Sequence, residues 1–377
     1  MYPTYIPILR AKKGEFDTFK HLSEKVKDGT FPVFELPLLS EKQKKTKKYS
    51  SLSTPIAAFV EKCAIELGEI MAQRAFAVDI HRWPSNATVE SGEHILSYFV
   101  GCLKDNGCNI SPVVGYDRWE DKEYTAVLRQ LSKNINSFIV RLDSFAFDDM
   151  IEEDPFFMVL DDIISSMNID SSRCSILLDF DDTAKTSIID MQENAQRAVD
   201  LLDDYNFNFI SIAGCSVASD INNMVPKANT NGIVIRKELQ VWKAIKRFNR
   251  NINFIFGDYG VANPQVGDDV IAPDANGKIR YTIEDSYFVV RGYSRRQGEK
   301  GSQMHGLCRR LISSGYYMGP SFSWGDSKIE ECAQGEFTGN PMNWISIDTS
   351  HHMTYVVSEI KEYESQLLEE KTRERSS

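Results

Sequence analysis

The chain has 377 residues, 42% of them hydrophobic and 26% charged, with a formal net charge of −11. That length holds one barrel domain with an appendage or two ordinary domains, and the composition is that of a soluble globular protein. The acidic balance argues against sequence-independent binding to a nucleic-acid backbone, and without an apolar run of ~18 residues no membrane span is expected.

The opening MYPTYIPILRAKKGE is not expected to be a signal peptide, because its apolar run is short and charge follows at once. Eight short apolar runs then recur: YIPILR (5–10), FPVFELP (31–37), AFAVDIH (75–81), ISPVVGYD (110–117), SFIVRLD (137–143), CSILLDFDD (174–182), FNFISIAG (207–214) and INFIFGDY (252–259). Helical periodicity fills most of the gaps, over 13–26, 54–71, 89–104, 122–132, 154–167, 187–204 and 232–249. A repeated strand–helix unit implies a parallel sheet, and about eight units imply a closed (β/α)8 TIM-like barrel. This barrel is expected over 1–260. A hairpin (278–291) and a C-terminal extension packed on the barrel are expected over 261–360, and a charged, fraying tail over 361–377. The lysine-rich stretch 40–53 reads as a mobile, solvated loop near the mouth. The seven cysteines, Cys63, Cys102, Cys108, Cys174, Cys215, Cys308 and Cys332, include no CxxC pair. They read as reduced thiols of a cytoplasmic protein.

In a barrel of this kind the functional site lies at the carboxyl ends of the strands. Side chains alternate along a strand, so Ala77, Asp79 and His81 share one face and Phe76, Val78 and Ile80 the other. Glu35 opposes Phe34 and Leu36. Arg141 and Asp143 oppose Val140 and Leu142, and Asp179 and Asp181 oppose Leu178 and Phe180. The bulky faces suit the layer beneath the helices, which leaves the polar faces for a barrel mouth.

Glu35, Asp79, His81, Asp179 and Asp258 are the catalytic candidates. Lys12, Arg141, Asp143, Asp181, Tyr259 and Arg291 are the candidates for holding substrate. Carboxylates around one mouth repel, and Arg141 offsets only part of that. A divalent cation such as Mg²⁺ or Mn²⁺ is one way to relieve the rest, and paired carboxyls can also act as acid and base. The metal ligands are not assigned. There is no P-loop, GxGxxG, GxSxG or HExxH motif. His351 and His352 are adjacent, so their side chains should diverge.

YIPILRAKKGE, FPVFELP, SFSWGD (321–326), GNPMNW (339–344) and HHMT (351–354) together resemble the "beta protein" family of bacterial genomes and phages. The resemblance covers nearly the whole chain. It implies a prokaryotic or phage origin and a role in phage–host conflict or phage defence, and it supplies no catalytic residues. Two functions follow as expectations. One is a barrel hydrolase or lyase acting on a phosphoester or other small polar substrate. The other is a non-enzymatic binding or interaction protein in phage–host conflict, with a small polar ligand or a protein as its partner.

Overall fold

A computed structural model describes residues 2–267, 275–294, 296–297 and 301–376. The eight apolar runs form eight parallel strands that close into one barrel. They are β1 (Tyr5–Arg10), β2 (Val33–Glu35), β3 (Phe76–Asp79), β4 (Ile110–Gly115), β5 (Phe138–Leu142), β6 (Cys174–Asp182), β7 (Ile210–Cys215) and, after an intervening strand β8 (Thr230–Ile235), β9 (Phe254–Asp258). β9 pairs with β1 in the register Tyr5↔Phe256, which removes both free edges.

Strand alternation sorts the apolar side chains into two layers. Phe34, Phe76, Val78, Phe138, Val140, Ile176 and Leu178 lie in the larger core under the helices. Ile6, Ile8, Val33, Ala77, Val113, Ile139, Leu177 and Ile255 fill the barrel interior. The helices start on local signals. Asp121 accepts from the backbone of Glu123 at 2.9 Å and Tyr124 at 3.1 Å, and Pro55 opens Pro55–Met71 at a position where its missing N–H is harmless.

β8 departs from the sequence reading. Residues 232–235 belong to a strand, and the helix expected over 232–249 is Lys237–Phe248. The β-branched run Ile233–Val234–Ile235 favours a pleated strand. A partner for it is supplied only by the distant hairpin β10 (Asn276–Ile283) and β11 (Ser286–Ser294), and β8 pairs antiparallel with β11. Two further segments are more ordered than the sequence suggested. In the lysine-rich stretch, Ser40 and Gln43 form a capping box and Tyr49 packs edge-on against Phe59 at 6.3 Å. The charged C-terminal segment continues one long helix, Pro341–Ser376. That helix is held on Lys237–Phe248 by the Tyr363 hydroxyl on the Lys243 carbonyl (3.0 Å) and by a Lys246–Glu364 pair at 3.3 Å. Such exposed pairs are each worth ~0–1 kcal/mol, so the buried Met353, Val356, Val357 and Ile360 do most of the docking. No described helix is long and apolar enough to cross a membrane, and all seven cysteines are free.

Candidate functional site at the barrel mouth

Glu35, Asp79, Arg141 and Asp179 stand at the inward-facing ends of β2, β3, β5 and β6. Arg141, only 2% exposed, is their hub. Its Nη1 donates to Glu35 Oε1 at 2.9 Å and to Asp79 Oδ2 at 2.7 Å. Its Nε donates to Asp179 Oδ2 at 2.8 Å and its Nη2 to the Tyr259 hydroxyl at 2.7 Å. Tyr259 in turn donates to Asp179 Oδ2 at 2.7 Å. Every guanidinium nitrogen of Arg141 is therefore engaged.

Two more arginines complete the neutralisation, and neither was singled out from the sequence. Arg118 follows β4 in a 3₁₀ turn and donates to Asp79 Oδ1 at 2.8 Å. Its guanidinium lies over Gly115, where a Cβ would sit 2.1 Å from Nη2, so only glycine leaves room for it. Arg82 stands 3.7 Å from Glu35 Oε2 and also holds the carbonyls of Pro264 at 3.1 Å and Val266 at 3.2 Å. Burial alone would raise the Asp79 carboxyl, but Arg118 and Arg141 outweigh it and hold Asp79 well below the usual carboxylate range. Arg82, Arg118 and Arg141 thus offset the repulsion expected among the inner acids. Among the described residues no group of three or more His, Cys, Asp or Glu side chains is arranged to hold a metal.

A second set of groups lies further out on the same rim: His81 and Asp117, which are exposed, and Asp143 and Asp181, which are part-buried. His81 Nδ1 stands 4.0 Å from Asp117 Oδ2. Asp143 caps the helix Ser144–Asp149. Burial and the neighbouring Asp117 push its carboxyl up to about 6. Burial, then Asp179, likewise raises Asp181. β6 is irregular here: its register shifts between Asp179 and Asp182, and Asp181 adopts a left-handed φ of 50°. A bulge with a non-glycine residue in that region is strained and re-aims the side chains around it. Gln265, on the loop after β9, donates to Asp181 Oδ2.

Three candidates are not brought to this mouth. Asp258 shares the parity of Phe254 and Phe256 and so points out of the barrel. There it accepts from the Tyr5 hydroxyl and from the Gly260 amide at 2.8 Å, and it pairs with His352 Nε2 at 2.9 Å. Arg291 is buried in β11 and donates to the carbonyls of Val225 at 2.6 Å and Pro226 at 2.8 Å, tying down a loop. Lys12 is the N-cap residue of Lys13–His21 and lines a cleft whose lining residues include none of the inner acids.

The Beta protein family model matches residues 5–358. The chain belongs to the Beta protein family. No curated protein matches it. Among solved structures it is similar to "the N-terminal domain of a putative aldolase from Bacteroides vulgatus", at 10% identity and a TM-score of 0.35, over 94% of this chain and 96% of that one. The barrel assignment rests on the strand pairing given above.

The late motifs of this Beta protein chain meet in space. Ser323 of SFSWGD caps Trp324–Gln334, accepting from the Asp326 amide at 3.1 Å. Asp326 also pairs with His351 of HHMT at 2.9 Å, and His351 stacks on Tyr281 with ring centroids 3.6 Å apart. His352 turns instead to Asp258 and to Thr282 Oγ1 at 2.7 Å, so the two histidines do diverge. In GNPMNW, Asn340 caps the last helix through the Met342 amide at 2.9 Å, and Trp344 Nε1 donates to the Thr338 carbonyl at 2.9 Å. These motifs fasten the extension; they are not part of the mouth.

Behind the barrel wall, Glu238 is fully buried, accepts from Ser216 and leaves Oε1 without a partner among the described residues. Burial pushes its carboxyl up to about 7. A carboxyl raised on folding adds stability that is complete below its unfolded value and is lost as pH rises through the folded one. Wild-type stability should therefore fall between about pH 5 and 8. Glu238→Gln should flatten that fall by about 2 kcal/mol, as read from urea melts at about pH 5 and 8.5. Parallel curves for the two proteins would contradict the burial argument.

Proposed function

We propose that the protein is an enzyme of the hydrolase or lyase kind that moves a proton on a small polar substrate at the barrel mouth. Asp143 and Asp181 act as the proton carriers, with His81 and Asp117 beside them. The observation that carries this reading is the presence of two kinds of carboxyl at one rim. Glu35, Asp79 and Asp179 are tied to arginines and shaped as a rigid, charged floor. Asp143 and Asp181 are raised and part-exposed. Environments that push neighbouring carboxyls apart are how one site keeps an acid and a base at neutral pH. The guanidinium groups nearest the site are engaged by acids and by main-chain carbonyls, which favours an uncharged or cationic substrate over a phosphoester at this point.

Asp143→Asn should lower turnover by about 10²-fold or more. It should leave the melting temperature within a few degrees, because asparagine caps a helix as well as aspartate does. The measurement is untargeted metabolite consumption by the wild type and by the Asp143→Asn and Asp181→Asn variants. Equal consumption by all three would reject the assignment.

A second reading is a non-enzymatic interaction protein in phage–host conflict, and the saturated Arg141 hub favours it, since a fully paired network also serves as a structural plug. It would move ahead if no metabolite were consumed and if a phage-restriction phenotype survived both substitutions.

A further inference from the structure

A cleft of about 510 Å³ lies between the barrel rim and the C-terminal elements. Among the described residues its charged lining is basic, with Arg10, Lys12, Lys13, Lys278 and Arg280 beside the acid Glu15, in a chain whose net charge is −11. Its walls also carry Met304, Met342, Trp344 and Ile345. Three helices begin at its edge: Lys13–His21, Gln303–Ile312 and Pro341–Ser376. The first two have no side-chain cap on their opening amides. Helix N-termini carry partial positive charge and present backbone N–H groups, so three of them at one cleft reinforce the basic side chains.

We infer that this cleft binds a small organic anion, a phosphate or carboxylate head on an apolar body. The volume is that of a site for a ligand of nucleotide or drug size. Arg280 is engaged structurally, by Asp348 Oδ2 at 3.0 Å and by the Val261 carbonyl at 2.5 Å. Lys278, two residues before it on the same face of β10, is the distinctive group. Among the described residues its ammonium makes no hydrogen bond or ion pair. Of the carboxylates that act on it, Asp348 holds Arg280 through Oδ2 and leaves Oδ1 without a partner among the described residues, and Asp220 accepts from the Asn222 amide at 2.9 Å. Burial and Arg280 push Lys278 down to about 8. A part-buried cation with no hydrogen-bond or ion-pair partner among the described residues, at a cleft with an apolar wall, is what an anionic head would satisfy.

This inference does not rest on the proposed enzyme, because the mouth residues do not line the cleft. The test is calorimetric titration of the full chain at pH 7 and low salt with adenosine 5′-monophosphate, 1-naphthoate, inorganic phosphate and adenosine. The two organic anions are expected to bind with Kd of about 10–100 µM, phosphate more weakly and adenosine not measurably. Lys278→Met should weaken anion binding at least about tenfold while Lys278→Arg retains it, and Lys13→Gln, at an exposed position, should weaken it about two- to threefold. Binding should fade as pH rises past about 8, and Asp143→Asn should leave it unchanged. The inference is overturned if neither organic anion binds at millimolar concentration, or if adenosine binds as well as its phosphate. It is also overturned if both Lys278→Met and Lys13→Gln, folded as judged by melting, bind like the parent. Should Lys278→Met not fold, Lys13→Gln decides.

Discussion

Arg141→Met is expected to destabilise the protein by more than about 5 kcal/mol, enough to unfold most single domains. The substitution keeps a side chain of similar reach and removes the donors that hold Glu35, Asp79 and Asp179. Arg118 would still hold Asp79 and Arg82 would remain near Glu35, so Asp179, left with Tyr259 and the Asp181 amide, takes the largest penalty. Removing one partner of a buried ion pair costs ~3–5 kcal/mol, because an uncompensated charge is left behind. A hub with three carboxylate partners should exceed that. Asp179→Asn should cost less, about 2–3 kcal/mol, since the amide still accepts from Arg141. The combination of Arg141→Met with Asp179→Asn should recover part of the loss, as coupled neighbours do. Urea unfolding at pH 7 measures all three. If Arg141→Met shifted the midpoint by no more than an exposed substitution does, the inner acids would have to be neutralised by something other than arginine. In that case Mg²⁺ or Mn²⁺ should raise the melting temperature.

Gly325→Ala is expected to cost several kcal/mol, about 3–5, for a single methyl group. A Cβ on Gly325 would sit 2.3 Å from the Ile347 carbonyl oxygen and 3.1 Å from the His351 amide. Both are backbone atoms of the last helix, so neither can swing aside. The helices Trp324–Gln334 and Pro341–Ser376 would have to separate, breaking the Asp326–His351 pair they share. Proteolysis should then release the C-terminal elements before the barrel is cut. Gly101→Ala and Gly306→Ala are the controls. Both glycines lie within helices with nothing within 4 Å of the added carbon, so each change should be neutral or stabilise by about 0.5–1 kcal/mol. Equal effects at all three positions would remove the close-approach argument.

The parity rule that placed Glu35, Asp79, Arg141 and Asp179 together also governs Asp258. Phe254, Phe256 and Asp258 alternate with Ile255, Gly257 and Tyr259, so the bulky residues already assigned Asp258 to the outer face and Tyr259 to the mouth. Reading Asp258 by its position at a strand end, rather than by its parity, produced the misplacement. Arg118 and Arg82 were harder to see. They follow strand ends in turns, where side-chain direction has no period, and only the folded path of the chain brings them onto Asp79 and Glu35.

By itself the sequence determined the barrel. Period-two alternation and helical periodicity are local, each strand carried its own inner and outer face, and eight such runs admit few other arrangements. It also set which acids face inward. The tertiary structure alone decided what those acids do. Whether a buried carboxylate is paired or left open to a cation or a substrate depends on charges within a few ångströms, and those come from segments far apart in the chain: Arg141 lies 106 residues from Glu35 and Tyr259 lies 80 from Asp179. The same holds for β8, whose β-branched run became a strand only because a hairpin some fifty residues later supplied its partner.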